Sequence, residues 1–340
     1  MTSRWYLLVV VLLPAALAGC ASPRQNLAAV GESCIAWFAS KELRWMKVAG
    51  TTPREVRSCP LPEPVLDCAP ATLGDACGVV ASGANNLYVT RTWANATTAL
   101  VSVAPDVVRD MCAHDLDGDG WDEVLVLAGE RATGRGELRI YSLRHRRWIW
   151  RGLRPELHPW KVRAGDVDGD QSPDVVVGVW KTTRFDPVWD NRPFVYQWLD
   201  GDLHPSWLGS RLPKRFTDFE LADTDQDGRD EIVAVGRTED GNCLFSCERY
   251  GFGFWGAWTG QVVSKISHVS PGGSPATVFT SEGDSRPTVW AYRTSEDAVR
   301  VERVAELRAA PQAFCALDDA RLAYVDRDRL RVLTVRKGGT

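Results

Sequence analysis

Short runs of branched apolar residues recur along the chain and set its hydrophobic pattern. The three clearest occupy residues 124–128, 175–180 and 232–236, with the sequences VLVLA, VVVGVW and IVAVG. Apolar runs of four to eight residues, rich in β-branched side chains and bounded by polar turns, are typical of buried strands. We therefore predict a buried strand at each run.

The residues around the middle run predict three more strands. The segment KVRAG at 161–165 precedes an acidic turn and the apolar run, and FVYQWLD and HPSWLGSRL follow the run. The same acidic turn begins at residues 115, 166 and 223, which gives repeat spacings of 51 and 57 residues. A period of this length is typical of a β-propeller, in which each blade is a small sheet of about four strands.

Strand pairs without acidic turns continue on both sides of the repeats, at residues 33–105 and after residue 266. Helix signals are almost absent beyond the N-terminal segment. The expected fold class is therefore all-β, with residues 33–340 forming one propeller of about seven four-stranded blades, and six or eight blades as alternatives. We also expect an N-terminal strand to complete the last blade.

Three acidic segments share one pattern and are called the first, second and third acidic loops. They read DLDGDGWDE at 115–123, DVDGDQSPD at 166–174 and DTDQDGRDE at 223–231, with acids at relative positions one, three, five and nine. Carboxylates packed this densely repel one another unless a cation lies between them. Calcium takes six to eight oxygen ligands in flexible loops and fits this donor set better than magnesium. We expect three calcium sites.

The predicted ligands are the four acidic side chains of each loop and the backbone carbonyl at position seven. They are Asp115, Asp117, Asp119, Trp121 and Glu123 in the first loop; Asp166, Asp168, Asp170, Ser172 and Asp174 in the second; and Asp223, Asp225, Asp227, Arg229 and Glu231 in the third. The loops are not EF-hands, because position twelve is apolar where an EF-hand has a bidentate acid. The alternative interpretation is an acidic turn that holds no metal.

Position six of each loop needs a residue that accepts a positive φ. Gly120 and Gly228 meet this need, whereas Gln171 predicts a less ideal turn in the second loop. We expect the loops to link the inner strands of adjacent sheets, so that loss of the metal would destabilise the whole ring.

The three loops and the apolar strand after each resemble the FG-GAP repeat, the calcium-loop propeller unit of integrin alpha-chain heads and many bacterial surface proteins. The resemblance covers about residues 107–266 and implies a calcium-stabilised propeller. The Phe-Gly…Gly-Ala-Pro signature itself is not present in clean form. The segment GFGFWGAWTGQVV, from Gly251, only echoes an outer-strand pattern.

An apolar stretch at residues 5–18 indicates a secretory signal peptide over residues 1–19, because it is too short for an ordinary membrane span. The stretch ends in LAGC, which resembles the lipobox of bacterial lipoproteins and implies cleavage before Cys20 and lipidation of that cysteine. Ala21 then implies sorting to the outer rather than the inner membrane, and residues 20–32 form a polar tether. The alternative is a simple signal peptide with an incidental cysteine.

Eight cysteines remain when Cys20 is set aside, an even number that suggests disulfides in an exported protein. They are Cys34, Cys59, Cys68, Cys77, Cys112, Cys243, Cys247 and Cys315. We expect the local pairs Cys34–Cys59, Cys68–Cys77 and Cys243–Cys247, which leave Cys112 with Cys315. A zinc site is the alternative, although paired CxxC spacing is lacking.

Charge and motifs narrow the function. The formal net charge is −4, and the one dense cationic run, at residues 144–147, is typical of a solvated turn, so we expect no nucleic-acid partner. The sequence contains no HExxH, GxSxG, P-loop or Rossmann glycine pattern. Acids that bind calcium must be ionised, which argues against proton transfer by them. We therefore expect a protein that is not an enzyme.

Fifteen tryptophans are far more than ordinary usage. Those within predicted strands are best explained by packing between sheets, where large aromatic side chains fill space. Those at loop positions could equally stack on sugars. The candidates for glycan stacking are Trp121, Trp160, Trp189 and Trp207.

Together these features predict a lipid-anchored, calcium-stabilised binding module of the bacterial cell envelope, with an unknown protein or glycan ligand. A carbohydrate-active enzyme or a lectin-like glycan binder on the same propeller is the alternative. A structural part of an envelope assembly is a third hypothesis, since fold alone does not decide function.

Overall fold

The computed structural model describes residues 27–30, 33–130, 136–153, 155–184, 186–209, 212–263, 266–271, 277–282, 287–295, 298–309, 311–318, 320–326 and 329–334. Within these residues all regular structure is β, apart from one 3-10 turn at Pro155–Leu157. The signal peptide, Cys20 and most of the tether lie outside the described residues. Among the described residues, none forms a helix long and apolar enough to cross a membrane.

The strands form seven antiparallel sheets, named A to G in chain order, and in every sheet the strands pair in the order of the chain. Sheet A contains β1 to β4: Leu27–Ala29, Cys34–Ala39, Glu42–Ala49 and Thr52–Pro60. Sheet B contains β5 to β8: Asp67–Leu73, Ala76–Ser82, Asn86–Arg91 and Thr98–Ser102. Sheet C contains β9 to β12: Val107–His114, Glu123–Gly129, Gly136–Ser142 and Arg147–Gly152.

The second half of the chain repeats this plan. Sheet D contains β13 to β16: Pro159–Gly165, Asp174–Lys181, Asp190–Leu199 and Asp202–Trp207. Sheet E contains β17 to β20: Phe216–Ala222, Glu231–Thr238, Gly241–Tyr250 and Gly253–Val263. Sheet F contains β21 to β24: Ile266–Pro271, Thr277–Glu282, Thr288–Ser295 and Ala298–Glu306. Sheet G contains β25 to β27: Ala313–Ala316, Arg321–Asp326 and Arg329–Thr334.

The sheets are arranged as a ring. The first strand of each sheet contacts the first strand of the next, and β25 of sheet G contacts β1 of sheet A. The fold is therefore an all-β propeller, as the sequence predicts. Six sheets are four-stranded blades and sheet G has three described strands, which agrees with the expected range of six to eight blades.

Among the described residues, no N-terminal strand completes the last blade, in contrast to the expectation. Strand β1 pairs with β2 in sheet A and not with sheet G. Its side chains explain this position, because Leu27 packs with Ala313 and Cys315 of sheet G while Ala28 packs with Ala36 and other residues of sheets A and B. Strand β1 is thus the inner strand of sheet A and closes the ring by side-chain packing.

The continuous apolar runs belong to the second strand of a sheet, which is covered on both faces. In β10, Val124 and Val126 pack into the core shared with sheet B, whereas Leu125 and Leu127 pack into the core shared with sheet D. Side chains alternate between the two faces of a strand, so a strand between two sheets needs apolar residues at every position. Truncating Leu125 to Ala would cost about 2–5 kcal/mol.

Each acidic loop connects the first and second strands of a single sheet: the first loop joins β9 to β10, the second β13 to β14, and the third β17 to β18. The expectation that these loops link inner strands of adjacent sheets is therefore wrong. Inner strands of neighbouring sheets are connected through the outer strands of a blade, because the chain completes one sheet before it starts the next. All three loops lie at the same end of the ring.

Candidate metal centres

Each acidic loop is folded around the carboxylate at position one. In the first loop the Asp115 side chain accepts hydrogen bonds from the backbone N–H groups of Asp119, at 3.1 Å, and Gly120, at 2.8 Å. In the other two loops Asp166 and Asp223 accept hydrogen bonds from the backbone N–H groups at positions four and six. Short acidic side chains favour such local bonds to the backbone. The aspartate pattern therefore specifies the turn as well as its charge.

The carboxylate at position nine begins the second strand and turns back into the loop. One oxygen of Glu123, Asp174 or Glu231 accepts a hydrogen bond from the backbone N–H at position two, at 3.2, 3.3 and 2.6 Å respectively. These side chains are at least 97% buried. The second oxygen of Glu123 and of Asp174 has no hydrogen-bond partner among the described residues. A buried carboxylate oxygen without a partner is costly unless a cation or water binds it.

The predicted side-chain ligands come together with one difference between loops. Carboxylate oxygens from positions one, three and nine lie within 4.8 Å of one another in all three loops, but position five joins only in the third. The grouped residues are Asp115, Asp117 and Glu123; Asp166, Asp168 and Asp174; and Asp223, Asp225, Asp227 and Glu231. The carbonyls of Trp121, Ser172 and Arg229 stay predictions.

Asp119 and Asp170 at position five are turned away from these groups. Each uses one oxygen to accept a hydrogen bond from the backbone N–H two residues later, at 2.8 Å. The other oxygen of Asp119 pairs with Arg144 at 2.8 Å. The arginine stabilises the ionised carboxylate and lowers its pKa. The first and second loops therefore offer three side-chain ligands in this conformation instead of the four predicted.

The backbone of each loop is left-handed at two positions. At position six, Gly120, Gln171 and Gly228 have φ values of 82°, 68° and 89°. The structure thus places a glutamine in a conformation that costs a non-glycine residue about 1–2 kcal/mol. Position four is also left-handed in every loop, and there the third loop carries Gln226, with φ of 66°.

Burial and mutual repulsion perturb the position-nine acids. Burial, and to a smaller extent the neighbouring Asp117, raise the pKa of Glu123 to about 7. The pKa values of Asp174 and Glu231 are likewise raised to about 7, with burial as the largest cause. Without a cation, the ionised form of these carboxyls is therefore destabilised near neutral pH.

The acid at position eight connects two of the loops to the preceding blade. Asp122 donates its N–H to the Thr72 carbonyl at 3.0 Å and accepts the Thr72 N–H on its side chain at 2.8 Å. Asp230 donates its N–H to the Asp166 carbonyl at 2.6 Å. In the second loop position eight is Pro173, which has no N–H to donate. The second loop therefore lacks a backbone bond from position eight to the preceding blade.

A buried charge network lies on the inner strands of the same three sheets, and sequence analysis missed it. Lys161 on β13 is 1% exposed and contacts Asp218 and Glu220 of β17, at 2.6 Å each. Arg163, also on β13, contacts Glu220 at 2.6 Å and Asp110 of β9 at 3.1 Å. Burial alone would raise the pKa of Glu220, but the two cations outweigh it and lower that pKa to about 2. The signal for this network in the sequence is the alternation of charged residues along these strands, such as Lys161 and Arg163 in β13.

Three of the four candidate stacking tryptophans are at least partly buried. Trp160 is 6% exposed and packs 5.8 Å from the ring of Phe219, so its expected role in glycan stacking is wrong. Trp207 packs against Phe254 at 4.8 Å, and Trp121 covers Gly74, where a Cβ atom would meet the indole at 2.8 Å. Trp189 is 51% exposed and stays a candidate.

The eight cysteines are free thiols in the structure. Cys243 and Cys247 lie four residues apart on one strand, which places their Cα atoms about 13 Å apart. A disulfide needs a separation of roughly 4.4–6.8 Å. The expected Cys243–Cys247 pair is therefore wrong.

The strand register also opposes the other three pairs. Cys77 is opposite Thr72, four residues from Cys68. Cys34 and Cys59 lie on strands separated by β3 and are likewise out of register. Cys112 and Cys315 lie on β9 and β25, whose order around the ring places β5 and β1 between them. Cysteine spacing in the sequence does not report this separation.

A known protein family and several solved structures are similar to this chain. Residues 115–177, which contain the first two acidic loops, match the model of the FG-GAP-like repeat. No curated protein matches the chain in sequence.

Three solved structures share the fold at low sequence identity. Hydrazine synthase of Kuenenia stuttgartiensis is 10% identical, with a TM-score of 0.63 and coverage of 97% of this chain and 99% of that chain. BBS1N in complex with ARL6DN is 11% identical, with a TM-score of 0.57 and coverage of 94% of this chain and 96% of that chain. The Dos1 propeller is 10% identical, with a TM-score of 0.57 and coverage of 92% of this chain and 77% of that chain. Identities this low show the fold alone. The chain is a β-propeller that carries an FG-GAP-like repeat.

Proposed function

We propose that the chain is a calcium-stabilised binding module of a bacterial cell envelope, held at the membrane by a lipid on Cys20. The propeller and the FG-GAP-like repeat support an interaction module. The observation that carries the calcium assignment is the pair of buried position-nine oxygens, on Glu123 and Asp174, that have no partner among the described residues.

The donor set suits a hard cation. The grouped side chains of all three loops are aspartates and glutamates, with neither histidine nor cysteine among them. All-oxygen sites with several carboxylates favour calcium, magnesium or manganese over zinc or copper. Loops that supply carboxylates from a flexible turn suit calcium, which accepts irregular geometry, better than magnesium. A bound calcium would neutralise the acids that otherwise repel one another.

Lipid anchoring is supported by the LAGC segment, which ends at Cys20. A multiply acylated terminus gains about 0.8 kcal/mol for each CH₂ group buried in lipid, enough for a stable anchor. Replacing Cys20 with Ser should abolish acylation and release the protein into the soluble fraction. A Cys20→Ser protein that stays in the membrane, together with a wild-type protein that lacks acyl mass, would overturn the anchor.

Binding is tested with purified protein on an array of envelope proteins and glycans, in millimolar calcium and again in chelator. We expect a retained ligand whose binding weakens in chelator, because the loops lie at one end of the ring and shape its surface there. The Asp225→Ala variant should lose the same ligand at low calcium. Absence of any retained ligand in calcium would contradict the binding module.

A further inference from the structure

An open cavity of about 440 Å³ lies between the second acidic loop and the hairpin that joins β19 to β20 in the next blade. We call it the loop-two pocket. Its lining includes Asp168, Gly169, Asp170, Arg229, Arg249 and Tyr250. Two arginines, two aspartates and one aromatic side chain thus converge on a concave site, where placed polar groups can fix the orientation of a small ligand.

The arginines make one side of the pocket cationic. The Nη1 atom of Arg249 is buried and has no hydrogen-bond partner among the described residues. Arg249 lines the pocket together with Asp168 and Asp170 of the second loop. Arg229 lies against Gly169, where a Cβ atom would collide with its Cδ. Its Nε donates to Asp227 at 2.7 Å, and its Nη1 is not part of that pair.

The second loop supplies hydrogen-bond acceptors on the opposite side. Asp170 accepts one bond from the backbone N–H of Ser172, and no described arginine or lysine forms an ion pair with it. Asp168 accepts one bond from Gln197 at 3.2 Å, and its other oxygen has no partner among the described residues. The first loop differs, because Arg144 occupies its position-five acid.

The hairpin supplies an aromatic surface. Tyr250 is 72% exposed at the tip and borders the pocket, and Phe252 beyond it is fully exposed. An exposed aromatic ring beside polar groups offers a flat apolar face with little loss of conformational entropy on binding.

We propose that the loop-two pocket binds an acidic sugar, with its carboxylate on Arg249 and Arg229, hydroxyl groups on Asp170, and one face of the ring against Tyr250. Guanidinium groups recognise carboxylates through paired charge-assisted hydrogen bonds. Sugar hydroxyls donate to aspartate, whereas the side chain of an acidic peptide has only a carboxylate and offers no hydroxyl to Asp168 or Asp170. This inference rests on the proposed binding module and specifies where and what it binds.

The test is calorimetric titration of the purified protein, in calcium, with a trimer of galacturonic acid and with the matched neutral trimer of galactose. We expect the acidic trimer to bind at least about tenfold more tightly than the neutral one. Arg249→Gln should weaken acidic-trimer binding by about tenfold or more, because a hydrogen bond between charged groups is lost. Tyr250→Ala should weaken binding of the acidic trimer as well.

Arg144→Gln, which alters the arginine beside the first loop, is the matched control and should leave binding unchanged. Equal binding of the two trimers, or wild-type binding by Arg249→Gln, would overturn the proposal. Poly-glutamate binding as tight as the acidic trimer would overturn it in favour of an acidic peptide. Bound calcium is measured separately. If the Arg249→Gln and Tyr250→Ala variants bind calcium and still retain another ligand, the binding module stands and the pocket assignment fails.

Discussion

Sheets C, D and E are held together differently from sheets A and G. The inner strands of sheets A and G are apolar, with the sequences LAA and AFCA. The inner strands of sheets D and E carry Lys161, Arg163, Asp218 and Glu220, which pair across the sheets. Sheets C to E also carry the acidic loops between their first and second strands. In sheet B the corresponding strands, β5 and β6, are joined by only two residues.

This difference indicates that sheets C to E depend on charge balance, whereas sheets A and G depend on apolar packing. Apolar packing is insensitive to ions, whereas clustered carboxylates are stable only with a counter-charge. The mid-strand network supplies its own counter-charges from Lys161 and Arg163. The acidic loops have three or four carboxylates in each group, and the ion pair between Arg229 and Asp227 balances only one of them in the third loop. A hard cation from solution would therefore act on sheets C to E.

The largest expected effect comes from breaking the buried network. Glu220→Ala removes the carboxylate that contacts both Lys161 and Arg163 and leaves buried cations with less compensation. Loss of one partner from a buried charge pair typically costs about 3–5 kcal/mol, and we expect a loss in this range from chemical denaturation. The partly exposed Glu42, which contacts Arg44, is the control, and Glu42→Ala should leave the midpoint nearly unchanged. An equally stable Glu220→Ala protein would contradict the role of the network.

Removing a ligand from one acidic loop should cost somewhat less. Asp117→Ala and Asp225→Ala should each abolish one bound ion. The stability supplied by one site is about 2.7 kcal/mol when free calcium is a hundred times the dissociation constant. We expect Asp168→Ala to cost least, because the second loop has Gln171 at position six and Pro173 at position eight. Melting temperatures in saturating calcium measure this order, and a larger loss for Asp168→Ala would reverse the ranking.

Calcium affinity should fall on acidification. Glu123, Asp174 and Glu231 have pKa values of about 7 in the metal-free protein and must be ionised to bind calcium. At pH 6 only about a tenth of such a group is ionised, so each site should bind about tenfold more weakly than at pH 8, a change of about 1.4 kcal/mol. Calcium titrations at the two pH values measure the shift, and equal affinities would show that these carboxyls are not ligands.

The smallest expected effect isolates the backbone of the second loop. Gln171→Gly relieves a left-handed non-glycine residue and should raise stability by about 1 kcal/mol or less, since glycine also adds entropy to the unfolded chain. Gly228→Ala is the matched reverse change, and nothing lies within 4 Å of the added Cβ. Its stability should fall by a similar amount. Chemical denaturation measures both changes, and a loss of stability in Gln171→Gly would refute the strain at Gln171.

The sequence predicts the loops well because their information is local. Aspartates at positions one and five form bonds to backbone groups two to five residues away, so spacing alone specifies the turn. The apolar runs predict the second strands for the same reason, since both faces of that strand are covered. These local patterns account for the blades and for the nine side chains that share positions one, three and nine.

Contacts between distant residues were not predictable in this way. Lys161 and Glu220 are 59 residues apart and meet because two inner strands lie side by side. Asp119 pairs with Arg144, which lies 25 residues away on a hairpin of the same sheet. The cysteine pairs failed for the same reason, because the register across strands is a property of the folded sheet.

The central claim is that a hard cation stabilises sheets C to E through the three acidic loops. Elemental analysis of desalted protein, followed by amide hydrogen exchange in calcium and in chelator, tests it most directly. We expect three calcium ions per chain, and slower exchange in calcium at residues 115–129, 166–181 and 223–238, with little change in sheets A and G. No bound calcium and identical exchange in both conditions would leave only acidic turns.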